Sequence, residues 1–191
     1  EVKIYLIDFK NATDYSVYAK RYYLPSFAAI SLADDPEFAL AILESIEKEV
    51  KSRSSVISDS DTKKIGKSTN RKLCRILLII DELYVLAEKA SEDIRKKIME
   101  LIDSLTHQTR AYGIHTIVCG QDLNKLEHYD TIMEQCTTRI ALHCSDEQVR
   151  GLLGENGVTT MHSIDSDDRG VAVFSSDGGK TSGKERTVLV E

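Results

Sequence analysis

The chain has 191 residues, of which 41% are hydrophobic and 29% charged, as in an ordinary globular domain with a sizeable core. No apolar run approaches the roughly 20 residues that a membrane-spanning helix needs, and no signal peptide is visible. Acidic residues outnumber basic ones by 31 to 25, which gives a net charge of −6. This balance argues against a broad nucleic-acid surface, although contact with DNA through a few loops is compatible with it.

The cysteines and histidines show no metal-binding pattern. The four cysteines, Cys74, Cys119, Cys136 and Cys144, include no CxxC pair, and the five histidines stand singly. We therefore expect reduced, buried thiols in a cytosolic protein rather than a zinc site or disulfides.

The first third of the chain predicts two strands and a helix. Residues 2–7 form a hydrophobic strand that ends at Asp8, and Asp8 with Lys10 is interpreted as the end of that strand. A tyrosine-rich loop leads to an extended segment at 27–32. Asp34-Asp35-Pro36 predicts a helix start, and apolar residues at helical spacing continue it to about Arg53. Residues 54–71 are polar and of mixed charge, which predicts an exposed or disordered loop.

Residues 75–83, Arg-Ile-Leu-Leu-Ile-Ile-Asp-Glu-Leu, are the most informative segment. Five consecutive apolar residues predict a strand buried on both faces of a parallel α/β sheet. Asp81 and Glu82 follow it, at the edge where open α/β folds bind ligands. This is the Walker B pattern, in which the first acid holds Mg²⁺ through water and the second polarises the attacking water. The alternative is a strand that leaves the core with two solvated acids.

The remainder alternates helices and strands. A helix is predicted over 91–112 with Gly113 as its stop, then a strand at 114–119 that runs into Gly120-Gln121. A short helix at 132–136 and a strand at 139–144 follow. Ser145 caps the next helix, with Gln148 placed for a capping box. Two tail strands, 171–174 and 186–190, complete the pattern, and the β-α order implies a mostly parallel sheet.

In this order, the segments resemble the motor domain of the FtsK/SpoIIIE family, hexameric ATPases with RecA-like cores. Nine blocks of the family have similar segments here, in the same order. They are the LIDPK strand (6–10), the TDP helix (34–36), the helix-terminal Glu…Arg segment (49–53), the Walker B strand (79–83), the GIHLI strand (113–117), the ATQRP block (120–121), the TRIAF strand (138–142), the SRTIL…GG block (150–157) and the GKGDM turn (169–170). The match covers nearly the whole chain. It implies a single α/β domain over 1–191, a RecA-like P-loop NTPase core whose mostly parallel sheet is flanked by helices.

The resemblance has two departures. Of the family's Gln-Arg-Pro only Gln121 is retained, and the family's P-loop would precede residue 2, so we expect the chain to lack the P-loop strand. Gly66-Lys67-Ser68 and Gly179-Lys180-Thr181 look like P-loop ends, but Asp61 and Phe174 stand where the first glycine is required. Because a P-loop supplies most of the phosphate cradle, we expect this chain alone to bind and hydrolyse ATP poorly, whatever its parent does.

The resemblance also assigns site residues. Asp81 would hold Mg²⁺ through water and so help to bind ATP, and Glu82 would be catalytic. Gln121 would sense the γ-phosphate or the attacking water, or else be a loop glutamine bonded to backbone. Arg53 would be an arginine finger inserted into a neighbouring subunit, or else a cation at a helix C-terminus.

Arg139 and Arg150 match family arginines and are interpreted as surface or inter-subunit contacts.

The function that the resemblance implies is that of a ring translocase, a hexamer of identical copies, which pumps double-stranded DNA in chromosome segregation or conjugative transfer. The alternatives are a type VII secretion motor that exports proteins and a non-catalytic RecA-like assembly module. A cytoplasmic location is expected, with any membrane anchor in other parts of the parent.

One architectural expectation follows from the missing strand. In the family, the strand leading to the P-loop lies between the strands predicted at 114–119 and 139–144. Unpaired, buried backbone groups cost about 1–3 kcal/mol each. We therefore expect these two strands to pair directly, or the gap to be filled by another segment or molecule.

Overall fold

The computed structural model describes residues 2–10, 15, 18, 26–32, 35–58, 73–85, 90–121, 123, 126–165, 167–168, 170–180 and 183–186. In these ranges the strands are β1 (Val2–Asp8), β2 (Phe27–Ser31), β3 (Arg75–Asp81), β4 (Ile114–Val118), β5 (Arg139–Ala141), β6 (Val171–Ser175) and β7 (Gly183–Arg186). The α-helices are α1 (Pro36–Ser58), α2 (Glu92–Gln108), α3 (Tyr129–Gln135) and α4 (Asp146–His162). Short 3₁₀ turns occupy Leu83–Val85 and Thr109–Tyr112. Among the described helices, none is both long and apolar enough to cross a membrane.

The described residues divide into two compact units, Glu1–His128 and Tyr129–Glu191. Unit 1 contains a four-stranded parallel sheet in the order β2-β1-β3-β4. Helices α1 and α2 pack against each other, and their apolar stripes supply much of its core. The predicted α/β class with a parallel sheet and flanking helices is confirmed. The assignment of 1–191 to a single domain stays a prediction.

Burial along β3 corrects one expectation. Ile76, Leu78 and Ile80 are fully buried, whereas Leu77 and Ile79 are only partly buried. Successive side chains of a strand point to opposite faces, so one face of β3 carries the core and the other is incompletely covered by the described residues. The prediction of a strand from the five-residue apolar run is confirmed, but the prediction that both of its faces are buried is wrong.

Helix α1 is longer than the sequence predicted. It continues five residues past Arg53, so that 54–58 is helical rather than loop, while 59–72 lies outside the described residues. Tyr112 donates a hydrogen bond to Ser54 Oγ over 3.4 Å, and the side chain of Arg53 is buried. These tertiary contacts outweigh the weak helix preference of the serines.

Helix α2 and the strand after it follow the prediction closely. Ser91 is the N-cap residue, and the final turn before Gly113 tightens to 3₁₀. Gly113 takes a positive φ of 70°, as a helix-terminating glycine does. Strand β4 then forms the edge of the parallel sheet, with Ile117 44% exposed.

Unit 2 contains an antiparallel sheet in the order β5-β6-β7 over a small apolar core. Strand β5 is three residues long and pairs with β6, so the direct pairing of β4 with β5, one of the two outcomes that we expected, does not occur among the described residues. The other outcome, a gap filled by another segment or molecule, stays a prediction. Strand β7 occupies Gly183–Arg186, and of the strand predicted at 186–190, residues 187–190 lie outside the described residues.

Helix α4 folds back on itself. It begins with the predicted capping box between Ser145 and Gln148 and breaks at Gly154, whose φ of 70° is non-helical. His162 Nε2 and Asp146 Oδ1, at opposite ends of the helix, lie 2.8 Å apart, although a straight helix would separate them by about 24 Å. A Cβ on Gly157 would lie 2.3 Å from Leu153 Cβ, so only glycine allows the two halves this approach.

Candidate functional site

The carboxyl ends of three parallel strands meet around Asp81. It is the last residue of β3, and its carbonyl accepts a hydrogen bond of 3.1 Å from the amide of Phe9, just after β1. On the other side, Cys119 donates to the carbonyl of Ile80 over 2.8 Å. The register also places Asp8 directly opposite Asp81. Side chains that follow β1, β3 and β4 therefore converge on one edge of the sheet.

Glu82 holds an unusual backbone conformation. Its φ of 51° is in the left-handed region, which a residue with a Cβ enters at a cost of about 1–2 kcal/mol. Two hydrogen bonds stabilise it: the Glu82 amide donates to Asp81 Oδ1 over 3.1 Å, and its carbonyl accepts from Val85 over 2.9 Å. The strain thus orients a carboxylate that is 14% exposed at the strand end.

Lys10 contacts this carboxylate from the neighbouring strand. Its Nζ lies 3.2 Å from Glu82 Oε1, and the lysine side chain is 50% exposed. The Lys10 amide donates to Oδ1 of Asp8 over 2.8 Å, and Asp8 is 1% exposed. The pair that the sequence showed as a strand end is thus a buried carboxylate that fixes the backbone of Lys10.

Tyr15 and Cys119 complete the surroundings of Asp81. The Tyr15 hydroxyl hydrogen-bonds to Asp81, and burial, the Asp81 charge and this bond raise the pKa of Tyr15 to about 12. Burial and the charges of Asp81 and Glu82 also raise the pKa of the Cys119 thiol. Both groups are therefore neutral at ordinary pH, beside two carboxylates.

Gln121 lies where the sequence predicted, directly after the β4 end. It is exposed and follows Gly120, where a Cβ would come within 3.8 Å of Glu82 Cα. The main chain of this turn therefore passes close to Glu82, and the role of Gln121 in sensing nucleotide stays a prediction.

Arg53 has a different environment from that expected of an arginine finger. It is 1% exposed, its Nε pairs with Glu49 Oε1 at 2.8 Å, and its Nη1 donates to the Tyr112 carbonyl over 2.8 Å. A finger has to present its guanidinium to a neighbouring subunit. In unit 1 this guanidinium instead joins α1 to the end of the α2 segment, so a finger role would require it to leave both partners.

Arg139 and Arg150 both lie in unit 2, in contrasting settings. The Arg139 guanidinium donates to the carbonyls of Cys136, Leu152 and Met133 over 3.0, 3.1 and 2.7 Å. These carbonyls lie at the ends of α3 and of the first half of α4, and the Met133 carbonyl also accepts from the Cys136 amide over 3.1 Å. Arg150 is exposed and pairs with Glu155.

The edge around Asp81 fits one half of a magnesium-nucleotide site. A partly exposed carboxylate is the hard oxygen ligand that Mg²⁺ prefers, with water and phosphate as its usual companions. No cluster of three or more metal-binding side chains occurs in the part of the chain that the structure describes. Within those ranges, no strand-to-helix turn is glycine-rich and ends in Lys-Ser or Lys-Thr.

The two segments that look like P-loop ends, 66–68 and 179–181, differ in what the structure describes of them. Gly179 and Lys180 lie between antiparallel strands β6 and β7, so their rejection as a P-loop is confirmed. Gly66-Lys67-Ser68 lies outside the described residues.

Sequence reasoning missed the contacts that Lys10 and Tyr15 make with the acid pair. Lys10 could have been found from strand order, since β1 and β3 are neighbours and end together. Nothing in the pattern around Tyr15 indicated Asp81 as its partner.

The α/β fold matches that of solved motor ATPases, as the resemblance to the FtsK/SpoIIIE family implied. The chain is similar to the pCW3 conjugation coupling protein TcpA with ATPγS, with a TM-score of 0.74, 20% identity, and coverage of 97% of this chain and 51% of that one. It is similar to EssC ATPases 2 and 3 from Geobacillus thermodenitrificans, with a TM-score of 0.75, 18% identity, and coverage of 98% of this chain and 33% of that one. It is also similar to Thermomonospora curvata EccC ATPases 2 and 3 in complex with a signal sequence peptide, with a TM-score of 0.71, 14% identity, and coverage of 98% of this chain and 32% of that one.

The chain spans about half of the TcpA chain and a third of the other two. No protein-family model matches the sequence. No curated protein matches it either. At these identities the structural likeness establishes the fold.

Proposed function

We propose that this chain is part of an ATP-driven motor in which Asp81 and Glu82 are the Walker B acids. The observation that carries the proposal is the strained Glu82 at the carboxyl end of the central strand β3, beside a partly exposed Asp81. Strained backbone at a non-glycine residue is retained where the side chain has to point in one direction. A merely solvated acid would not need it.

The residues have separable roles in this proposal. When bound, Mg²⁺-ATP supplies the electrophilic phosphorus and the charge neutralisation for phosphoryl transfer. Asp81 would hold the cation through water, Glu82 would orient the attacking water and take its proton, and Gln121 would contact the γ-phosphate or that water. Asp8 fixes the neighbouring backbone.

DNA is the cargo that we propose, with identical copies forming a ring, a hexamer by analogy with the family. The similarity to a conjugation coupling protein supports it. Protein export is the second candidate, supported by the equally good similarity to EssC and to EccC with a signal sequence peptide, and by the net charge of −6. The two are separated by whether ATP turnover of the native protein rises with double-stranded DNA or with a secretion-signal peptide.

Glu82→Gln tests the catalytic proposal in the full native protein. The variant keeps Asp81 and the shape of the side chain but removes the base, so we expect Mg²⁺-ATP to bind and turnover to fall by about 10²-fold or more. Turnover is measured by phosphate release and binding by calorimetry. Glu100→Gln, at an exposed position on α2, is the matched control and should behave like wild type. Near-normal turnover of Glu82→Gln would contradict the proposal.

A further inference from the structure

Both acids at the end of β3 are already occupied by side chains from one segment of the chain. Lys10 pairs with Glu82, and the Tyr15 hydroxyl bonds to Asp81. We propose that these two residues form a clamp, defined as Lys10 on Glu82 and Tyr15 on Asp81, which holds the acids in a resting state and is displaced when a divalent cation binds at Asp81. This inference rests on the proposed function and assigns Lys10 and Tyr15 as positioning residues.

The Lys10 contact is built to be specific but weak. Its backbone is anchored by buried Asp8, so the lysine starts from a fixed point beside Glu82. Its tip is 50% exposed, and ion pairs in such settings contribute little. The ammonium therefore selects one orientation of Glu82 at rest without preventing a change. Lys10 occupies an oxygen of Glu82 that would accept from the attacking water, so Glu82 has to leave this partner before it can act on that water.

The Tyr15 contact acts on Asp81 without adding charge. A carboxylate offers about four lone-pair directions, and here one oxygen also accepts the Glu82 amide. A cation that binds along the direction taken by the phenol therefore has to displace this hydrogen bond. Since Tyr15 is neutral, its effect on cation affinity is that of one competing hydrogen bond.

Adjacency couples the two contacts. Asp81 and Glu82 are consecutive, and the amide of Glu82 is bonded to the Asp81 carboxylate, so a change at one acid is felt by the other. A divalent cation at Asp81 also repels the ammonium of Lys10, which frees Glu82. Cation binding at the first acid would therefore prepare the second for its task.

Binding of Mn²⁺ alone to the purified chain tests the clamp without any ATP turnover. Free Mn²⁺ is counted by electron paramagnetic resonance in wild type, Tyr15→Phe, Lys10→Met and Asp81→Asn. We expect Tyr15→Phe to tighten binding about fivefold, because one competing hydrogen bond is lost. Lys10→Met should also tighten it, and Asp81→Asn should abolish it.

Two controls isolate the contacts from general charge. Tyr18→Phe, at an exposed tyrosine, should leave the affinity unchanged, and Lys3→Met, at the far end of β1, should change it less than Lys10→Met. The clamp is overturned if Tyr15→Phe binds Mn²⁺ as wild type does, or if no form binds Mn²⁺ through Asp81. Failure of the proposed function has a different signature: Glu82→Gln would turn over ATP normally, whatever Mn²⁺ does.

Discussion

The β3 end in unit 1 and the Arg139 cluster in unit 2 both concentrate polar groups, but they use them differently. Around Arg139, three backbone carbonyls take up the guanidinium, and the nearby left-handed position at residue 154 is a glycine. Around Asp81 the partners are side chains, one of them half exposed, and the left-handed position is a glutamate. The Arg139 cluster stabilises unit 2, whereas the strained backbone of Glu82 costs stability and orients a carboxylate.

The largest effect should come from removing the guanidinium of the unit 2 cluster. Arg139→Ala removes the guanidinium from three helix-end carbonyls, of which that of Met133 keeps a backbone donor, the Cys136 amide, and we expect a loss of about 2–4 kcal/mol in the free energy of unfolding. Urea denaturation of the chain, followed by circular dichroism, measures it. Arg150→Ala removes an exposed arginine of the same unit and should have little effect. A loss at Arg139 as small as that at Arg150 would break the comparison.

A smaller effect is expected at the two left-handed residues. Glycine enters this region freely, so glycine should be more stable than alanine at both positions, by about 1–2 kcal/mol. The measured pairs are wild type against Gly154→Ala, and Glu82→Gly against Glu82→Ala. At position 154 a Cβ meets nothing closer than 3.9 Å, so strain alone is tested there. If Glu82→Gly and Glu82→Ala are equally stable, Glu82 is not strained.

The smallest effect is confined to high pH. Burial first, then the charge of Asp81 and the bond to it raise the pKa of Tyr15 to about 12 from 10.0, so the folded state favours the neutral phenol. Its contribution to stability is therefore complete below pH 10 and is lost as the pH rises to about 12. Tyr15→Phe should lose less stability over this interval than wild type.

Absorbance of ionised tyrosine provides the direct measurement. One step with a midpoint near 12 should be absent from Tyr15→Phe and lowered in Asp81→Asn. Because burial also raises the pKa of Tyr129, Tyr129→Phe is the control that keeps the Tyr15 step. If Tyr15→Phe loses a step near 10 and not one near 12, the phenol does not contact Asp81 in solution.

The acid pair and most of the fold could be predicted from sequence because local pattern determines them. An unbroken apolar run that ends in Asp81 and Glu82 indicates a central strand and its edge, and Ser145 with Gln148 indicates a helix start. The extent of α1, the burial of Arg53 and the partners of Tyr15 depend on contacts with residues distant in sequence. The same is true of β5, whose short sequence is compatible with either sheet and whose partner β6 lies beyond α4 in the chain.

The break at Gly154 has a consequence for how the chain folds. It brings the two halves of α4 together across a few residues, and the strand pairs of unit 2 span at most 36 residues, from Arg139 to Ser175. Unit 1 has to pair Val2 with Arg75 before its sheet exists. Chains with local contacts fold faster than those with distant ones, so we expect the two units to fold in the reverse of their order in the sequence. Unit 2, the later part of the sequence, should reach its native contacts first.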